Sequence, residues 1–248
     1  MRKVKIALLG DSITEGLGSK KINYVESLLR NLNDSEIGYT IENLGASGTT
    51  IQYYFEIQKE IETLSPDIIL IFYGNVEAIP RPMMDKKSLV YRLMPKRYKK
   101  NFSMIDPRPF YSSKRVKRFF QKIDSTCRFA FKKYFIKKHG TYQILDIQSF
   151  EKYYRSVLEE LGNKHYRIIC VSNVRIDDYY FPNASEELAK YRNVIEKISA
   201  EYHCQYINLY NWQLGFSWEE IYGEDHFHPN EAGYNLIGEF LANNIKKE

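Results

Sequence analysis

The sequence predicts an α/β fold: a five-strand parallel sheet covered by helices on both faces. Three observations carry this. Short apolar, β-rich runs alternate with helix-spaced segments along most of the chain. The run Asp67–Tyr73 (Asp-Ile-Ile-Leu-Ile-Phe-Tyr) is apolar on both faces, as a central strand of a covered parallel sheet must be. Hydrophobic residues make up 44% of the 248, enough to fill three layers.

The elements follow in order. Val4–Leu9 reads as the first strand. Tyr24–Leu32 has Val25, Leu28, Leu29 and Leu32 on one helical face. Tyr39–Leu44 reads as the second strand. Ile51–Leu64 is helical, and Ser65-Pro66 stops it. Asp67–Tyr73 is the third strand. Ser149–Leu161 has helix spacing and precedes a fourth strand at Tyr166–Val171. Ser185–Tyr202 is helical, Gln205–Leu209 the fifth strand, and Asn230 caps a last helix through Asn244.

The alternation breaks between strands three and four. About 90 residues intervene, where a crossover needs little more than a dozen. The excess, residues 79–147, begins Ile79-Pro80-Arg81-Pro82. Within it Phe119, Phe120, Ile123, Cys127, Phe129, Ala130, Tyr134 and Phe135 are spaced for a helix packed on a neighbour. The chain is therefore expected to be one domain, residues 1–248, with a helical lid or insertion at 79–147.

That insertion holds the positive charge. Residues 86–138 carry 18 Lys and Arg against Asp106 and Asp124, while the rest of the chain is net acidic and the whole sums to +5. Lys-Arg-Tyr-Lys-Lys at 96–100 and Lys114-Arg115-Val116-Lys117-Arg118 are its densest runs. One reading is a solvated helix face neutralised by the acidic remainder. The other is a surface for an anionic glycan or a membrane. No nucleic-acid-binding motif accompanies the charge, so nucleic acid is not expected as a partner. The 21 tyrosines fit a sugar cleft and ordinary half-buried packing equally.

Cys127, Cys170 and Cys204 form an odd set without paired spacing, and Cys170 and Cys204 sit in or beside strand-like runs, which suits buried thiols in a reducing compartment. The apolar run after Arg2-Lys3 ends in Gly10-Asp11-Ser12 with no small-residue cleavage site, and no segment approaches a membrane span. A cytoplasmic location is expected.

The chemistry lies at the two ends. Val4–Leu9 runs into Gly10-Asp11-Ser12-Ile13-Thr14-Glu15-Gly16, which puts Ser12 at the carboxyl edge of the sheet, where sites form in open α/β folds. A serine hydroxyl needs a base. His228 is the candidate, with Asp225 three residues earlier in Asp225-His226-Phe227-His228-Pro229 to hold its tautomer. Taken alone, Gly10-Asp11-Ser12 is also an ordinary helix-capping turn. Asp225, His226 and His228 could also begin a metal site, but no remote ligand cluster completes one, so no metal is expected. Gly45, after strand two, would let a backbone N–H approach a ligand and, with Ser12 N–H, stabilise an oxyanion.

Gly10-Asp11-Ser12-Ile13, Gly45, Gly74-Asn75 and Asp225-x-x-His228-Pro229 together resemble the four sequence blocks of the SGNH (GDSL-like) hydrolase superfamily, spanning nearly the whole chain. The resemblance implies a flavodoxin-like three-layer sandwich and ester hydrolysis without a cofactor. It implies Ser12 as nucleophile, His228 as base and Asp225 as its orienter. Ser12 N–H, Gly45 N–H and a third-block Asn side chain would form the oxyanion hole.

The third block departs from the usual Gly-x-Asn-Asp. Anchored on Gly74 it reads Gly74-Asn75-Val76-Glu77, with Val76 at the Asn position and Glu77 at the acidic one. With Pro80-Arg81 following, it is similar to a variant associated with bacterial surface polysaccharides. Asn75, or Asn173 beyond strand four, is the expected substitute donor, and Arg81 is expected to contact substrate. The expected reaction is cleavage of a short acyl ester, acetyl first, on a small molecule or saccharide. Acyl transfer to a sugar and a non-catalytic glycan-binding module are the alternatives.

Overall fold

The computed structural model describes residues 2–19, 23–33, 37–99 and 105–246. Its main sheet has five parallel strands in the order β2-β1-β3-β6-β7: β1 Arg2–Gly10, β2 Ile37–Asn43, β3 Ile68–Phe72, β6 Arg167–Val171 and β7 Gln205–Ile207. A small antiparallel pair, β4 Arg81–Pro82 with β5 Thr141–Tyr142, stands apart. Counting only the main sheet, this is the flavodoxin-like order, in which the chain reverses direction across the sheet between β1 and β3.

The helices are α1 Ser12–Glu15, α2 Tyr24–Leu32, α3 Tyr54–Leu64, α4 Asn75–Ala78, α5 Leu89–Leu93, α6 Lys96–Lys99, α7 Arg115–His139, α8 Ile147–Gly162, α9 Ala184–Glu201, α10 Leu209–Gln213, α11 Trp218–Ile221 and α12 Glu231–Ile245. Right-handed crossovers put α3, α8 and α9 on the face opposite α2. The last helix, α12, returns to lie against α2. The two approach so closely that a Cβ on Gly238 would stand 2.5 Å from the Tyr24 carbonyl oxygen.

Every β3 side chain is buried, and Ile6 to Leu9 of β1 are fully enclosed, so the two central strands form the floor of the core. Tyr24, Tyr191 and Tyr234 are core residues whose hydroxyls donate to Thr14, the Leu145 carbonyl and the Leu17 carbonyl. These tyrosines serve packing, with a polar tip satisfied inside.

Element ends shift for identifiable reasons. Asp67 precedes β3 because its carboxylate accepts from Lys5 N–H. Ile51–Tyr53 forms a 3-10 turn before α3. Leu209 leaves β7 and opens α10, because Asn208 caps that helix through Asn211 N–H. Asp146 caps α8, which therefore starts before Ser149. Asn230 caps α12 through Gly233 N–H.

The insertion leaves and re-enters through the β4–β5 pair and carries its own small core of Met94, Tyr98, Ile105 and Phe135. Its long helix α7 corrects the expected apolar face. Phe135 is buried and Phe129 packs on Tyr179, but Phe119, Phe120, Ile123 and Cys127 are exposed. The inward face runs instead through Asp124, Arg128, Lys132 and Phe135, where charged groups pair inside the insertion. No helix among the described residues is long and apolar enough to cross a membrane.

Candidate active site

The carboxyl ends of β1 and β3 and the loop before α12 meet at one point. Ser12 is the first residue of α1, and Asp11 caps that helix by accepting from Ile13 N–H at 3.0 Å. The cap fixes the turn and leaves Ser12 N–H among the opening donors that have no intrahelical acceptor. Ser12 Oγ lies 2.9 Å from His228 Nε2, and His228 Nδ1 lies 2.7 Å from Asp225 Oδ2. A carboxylate accepts only, so Nδ1 carries the proton and Nε2 is left to accept from the serine hydroxyl. Asp225 Oδ1 takes Phe227 N–H and His228 N–H, which locks the carboxylate to the loop it orients. Ser12, Asp225 and His228 are 5%, 1% and 8% exposed.

Gly18 makes room for the histidine. It holds φ +106°, and a Cβ there would stand 2.8 Å from His228 Cβ. The neighbouring His226 turns away, with Nδ1 2.7 Å from Asp177 Oδ2 and its ring stacked on Trp218. It therefore does not join Asp225 and His228. Among the described residues no group of three or more His, Cys, Asp or Glu is arranged to hold a metal ion.

The expected oxyanion donors need correction. Gly45 N–H donates to Asn43 Oδ1 at 3.0 Å, and Asn43 Nδ2 donates to the Thr14 carbonyl. Gly45 thus belongs to a clamp between the end of β2 and α1. The residue on the pocket wall is Gly48, whose N–H has no acceptor among the described residues. Glu15 holds the preceding residue by accepting from Ser47 N–H at 2.8 Å and from the Ser47 hydroxyl. The second glycine of Gly45-Ala46-Ser47-Gly48 was the available sequence signal.

Neither asparagine faces the cavity. Asn75 donates to Asp11 Oδ2 at 3.0 Å and accepts from Val174 N–H at 2.9 Å, joining the ends of β1, β3 and β6. Asn173 donates to the Leu188 carbonyl and accepts from Arg192, beneath α9. Val76 lines the cavity instead. Glu77, fully enclosed, accepts from Ile51 N–H and Gly74 N–H. Burial pushes its pKa up to about 7, against the pull of those amides. Burial likewise raises Asp11, only partly offset by the bonds from Ile13 and Asn75.

The cavity above Ser12 measures about 610 Å³. Its lining divides by origin. The sheet-edge loops give Leu17, Ser47, Gly48, Val76 and Ile79. The insertion gives Arg81, Asp106, Pro107, Arg108, Pro109 and Arg128. Arg81 thus reaches the cavity, held at 3.0 Å by Asp106. Asp106, Arg108 and Arg128 had no motif to mark them. Only the Pro-Arg-Pro run at 107–109 hinted at a fixed loop.

The GDSL-like Lipase/Acylhydrolase family matches residues 8–236. Among solved structures, a lipase/acylhydrolase from Enterococcus faecalis superposes with TM-score 0.63 at 18% identity, covering 100% of this chain and 96% of that one. Axe2, an acetylxylan esterase from Geobacillus stearothermophilus, gives 0.61 at 17% identity, covering 99% and 95%. LAE5, an α/β hydrolase from the metagenome of Lake Arreo, gives 0.59 at 14%, covering 98% and 94%. These identities speak for the fold. No match was found among curated proteins.

Proposed function

Because the chain belongs to the GDSL-like lipase/acylhydrolase family and is an ester hydrolase, we propose that it is a serine esterase that removes a short acyl group, acetyl first, from a carbohydrate hydroxyl. The observation that carries this reading is the unbroken hydrogen-bond chain Ser12–His228–Asp225, opening on the cavity. Ser12 Oγ attacks the ester carbonyl as His228 Nε2 takes its proton, and Asp225 stabilises the imidazolium. Ser12 N–H and Gly48 N–H hold the oxyanion. The tetrahedral adduct collapses, His228 returns the proton to the leaving alcohol, and the acyl group stays on Ser12. Water then attacks with His228 as base, releasing the acid and the free serine.

The cavity supports a small acyl group on a large alcohol. Val76 and Ile79 offer apolar surface among the sheet-edge residues, and the remaining volume suits a ligand the size of a sugar or larger. Acetylxylan esterases among the structural neighbours agree with an acetylated saccharide. Val76 at the side-chain donor position is the observation that favours a non-catalytic glycan-binding module, and the intact serine–histidine–aspartate geometry weighs against it.

Turnover of p-nitrophenyl acetate, wild type against Ser12→Ala, tests the reading. The variant is expected to lose at least about 1,000-fold in kcat, and a fluorophosphonate is expected to label the wild type at Ser12. Equal turnover by both proteins, or no turnover and no labelling, overturns it.

A further inference from the structure

We propose that the insertion side of the cavity is an anion subsite, and that the alcohol part of the ester carries a carboxylate or phosphate bound by Arg108 and Arg128 with Arg81 beside them. This rests on the esterase reading of the same cavity and names its substrate class.

The argument is one of charge and geometry. In the insertion around this side of the cavity, five cations share two carboxylates among the described residues: Arg81, Arg108, Arg128 and Asp106 line the cavity, and Arg97, Lys132 and Asp124 do not. Asp106 spends one oxygen on Arg81 at 3.0 Å and the other on the enclosed Lys132 at 2.6 Å. Asp124 accepts from Arg108 at 3.0 Å, from Arg128 Nε at 2.8 Å and from Arg97. Burial works to raise Asp124, but the Tyr98 and Arg108 hydrogen bonds and the Arg128 and Arg97 charges outweigh it and hold it below the usual range. The oxygens of both acids are therefore engaged, and among the described residues the five cations outnumber the two carboxylates by three. Asp225, the other acid on the cavity, directs its oxygens to His228 and two amides.

These cations are held, not loose. Asp124 grips Arg128 by Nε, and among the described residues neither of its Nη groups has a protein acceptor. Arg108 sits between Pro107 and Pro109 and donates through Nη2 to Asp124, and among the described residues its buried Nε has no acceptor. The Arg128 guanidinium carbon lies over the Tyr98 ring, 5.4 Å from its centroid. A set of preoriented guanidinium groups matches the two or three oxygens of a carboxylate or phosphate through charge-assisted hydrogen bonds. A neutral sugar would leave the Arg128 Nη groups without a charged acceptor, at a cost in binding. The acetylated hydroxyl at Ser12 and the anion at the arginines then lie on one saccharide.

The test compares kcat/KM for four esters: p-nitrophenyl acetate, neutral acetylated xylooligosaccharide, acetylated oligogalacturonate and an acetylated hexose phosphate. Wild type is expected to prefer one of the anionic esters over the neutral oligosaccharide by at least about tenfold. The better of the two identifies the group as carboxylate or phosphate. In Arg108→Gln and Arg128→Gln the ratio of anionic to neutral kcat/KM is expected to fall about 10- to 100-fold. The ratio is taken on one protein, so partial unfolding divides out. Ser12-dependent turnover of p-nitrophenyl acetate with no anionic preference overturns the subsite and leaves the esterase standing. Absence of turnover overturns the esterase reading, and calorimetric titration then reads the subsite directly. In that titration of Ser12→Ala, tighter binding of galacturonate oligomers or hexose phosphate than of neutral xylooligomers supports it, and equal binding overturns it.

Discussion

In the proposed mechanism Val76 is the residue on which the rate turns. It is 4% exposed, lines the cavity and its side chain has no donor to offer an oxyanion, which leaves Ser12 N–H and Gly48 N–H for that task in the proposal. A single oxyanion donor is worth roughly 100- to 1,000-fold in kcat in well-placed cases. Val76→Asn is therefore expected to raise kcat on p-nitrophenyl acetate, by about tenfold or more, with little change in KM, as stopped-flow and steady-state rates would read. Glu77, next in sequence, has a different signature. Its folded pKa is about 7 against an ordinary 4.5, so the folded state binds the proton more tightly. Below 4.5 both states are protonated and the contribution is complete. As pH rises toward 7 the unfolded chain releases the proton first, and the contribution is lost. The difference in urea-unfolding free energy between wild type and Glu77→Gln is expected to shrink from pH 4.5 to 7 and to be flat on either side.

At the scale of the element, α7 is the informative case. Its aromatic residues were legible as helical but not as outward-facing, because apolar spacing marks a buried face only when the core takes the apolar side. Here the inner side meets Asp106, Arg108 and the cavity, so Asp124, Arg128 and Lys132 turn inward and pair. Lys132 is fully enclosed over the Phe181 ring, and burial lowers its pKa despite Asp106. Phe119 and Phe120, 62% and 64% exposed, should tolerate Ser within about 0.5 kcal/mol of wild-type stability. Phe135→Ala, in the insertion's small core, is expected to cost about 3–5 kcal/mol in that unit. Thermal unfolding of the three variants decides it. A loss from Phe119→Ser as large as from Phe135→Ala would mean that the outer face is covered in solution.

For the whole molecule, the sheet and the serine, histidine and aspartate were legible because each depends on local signals: runs of Val, Ile and Leu, a Gly-Asp-Ser turn, an Asp three residues before a His. The glycine at the cavity, the fate of Asn75 and Asn173, and the arginine wall were not. Each is decided by which atom a side chain or amide finds far along the chain. Asn75 bonds across to Val174, and Arg108 reaches Asp124 from another element. The charge imbalance was visible in the sequence, but its partition was not. Among the described residues Arg118–Glu224 is the ion pair recorded between the insertion and the remainder, so the acidic remainder does not cancel the basic segment by direct pairing.

The hydrogen bond between Ser12 and His228 joins positions 216 residues apart, and α12, just beyond the histidine, closes against α2 near the start of the chain. During synthesis Ser12 is therefore made 216 residues before His228. In the proposed mechanism a nascent chain lacks the base for Ser12 until the segment bearing His228 has been made and has docked. Reactivity of Ser12 toward a fluorophosphonate is then expected to report the docking of that segment, a timer wound by chain order.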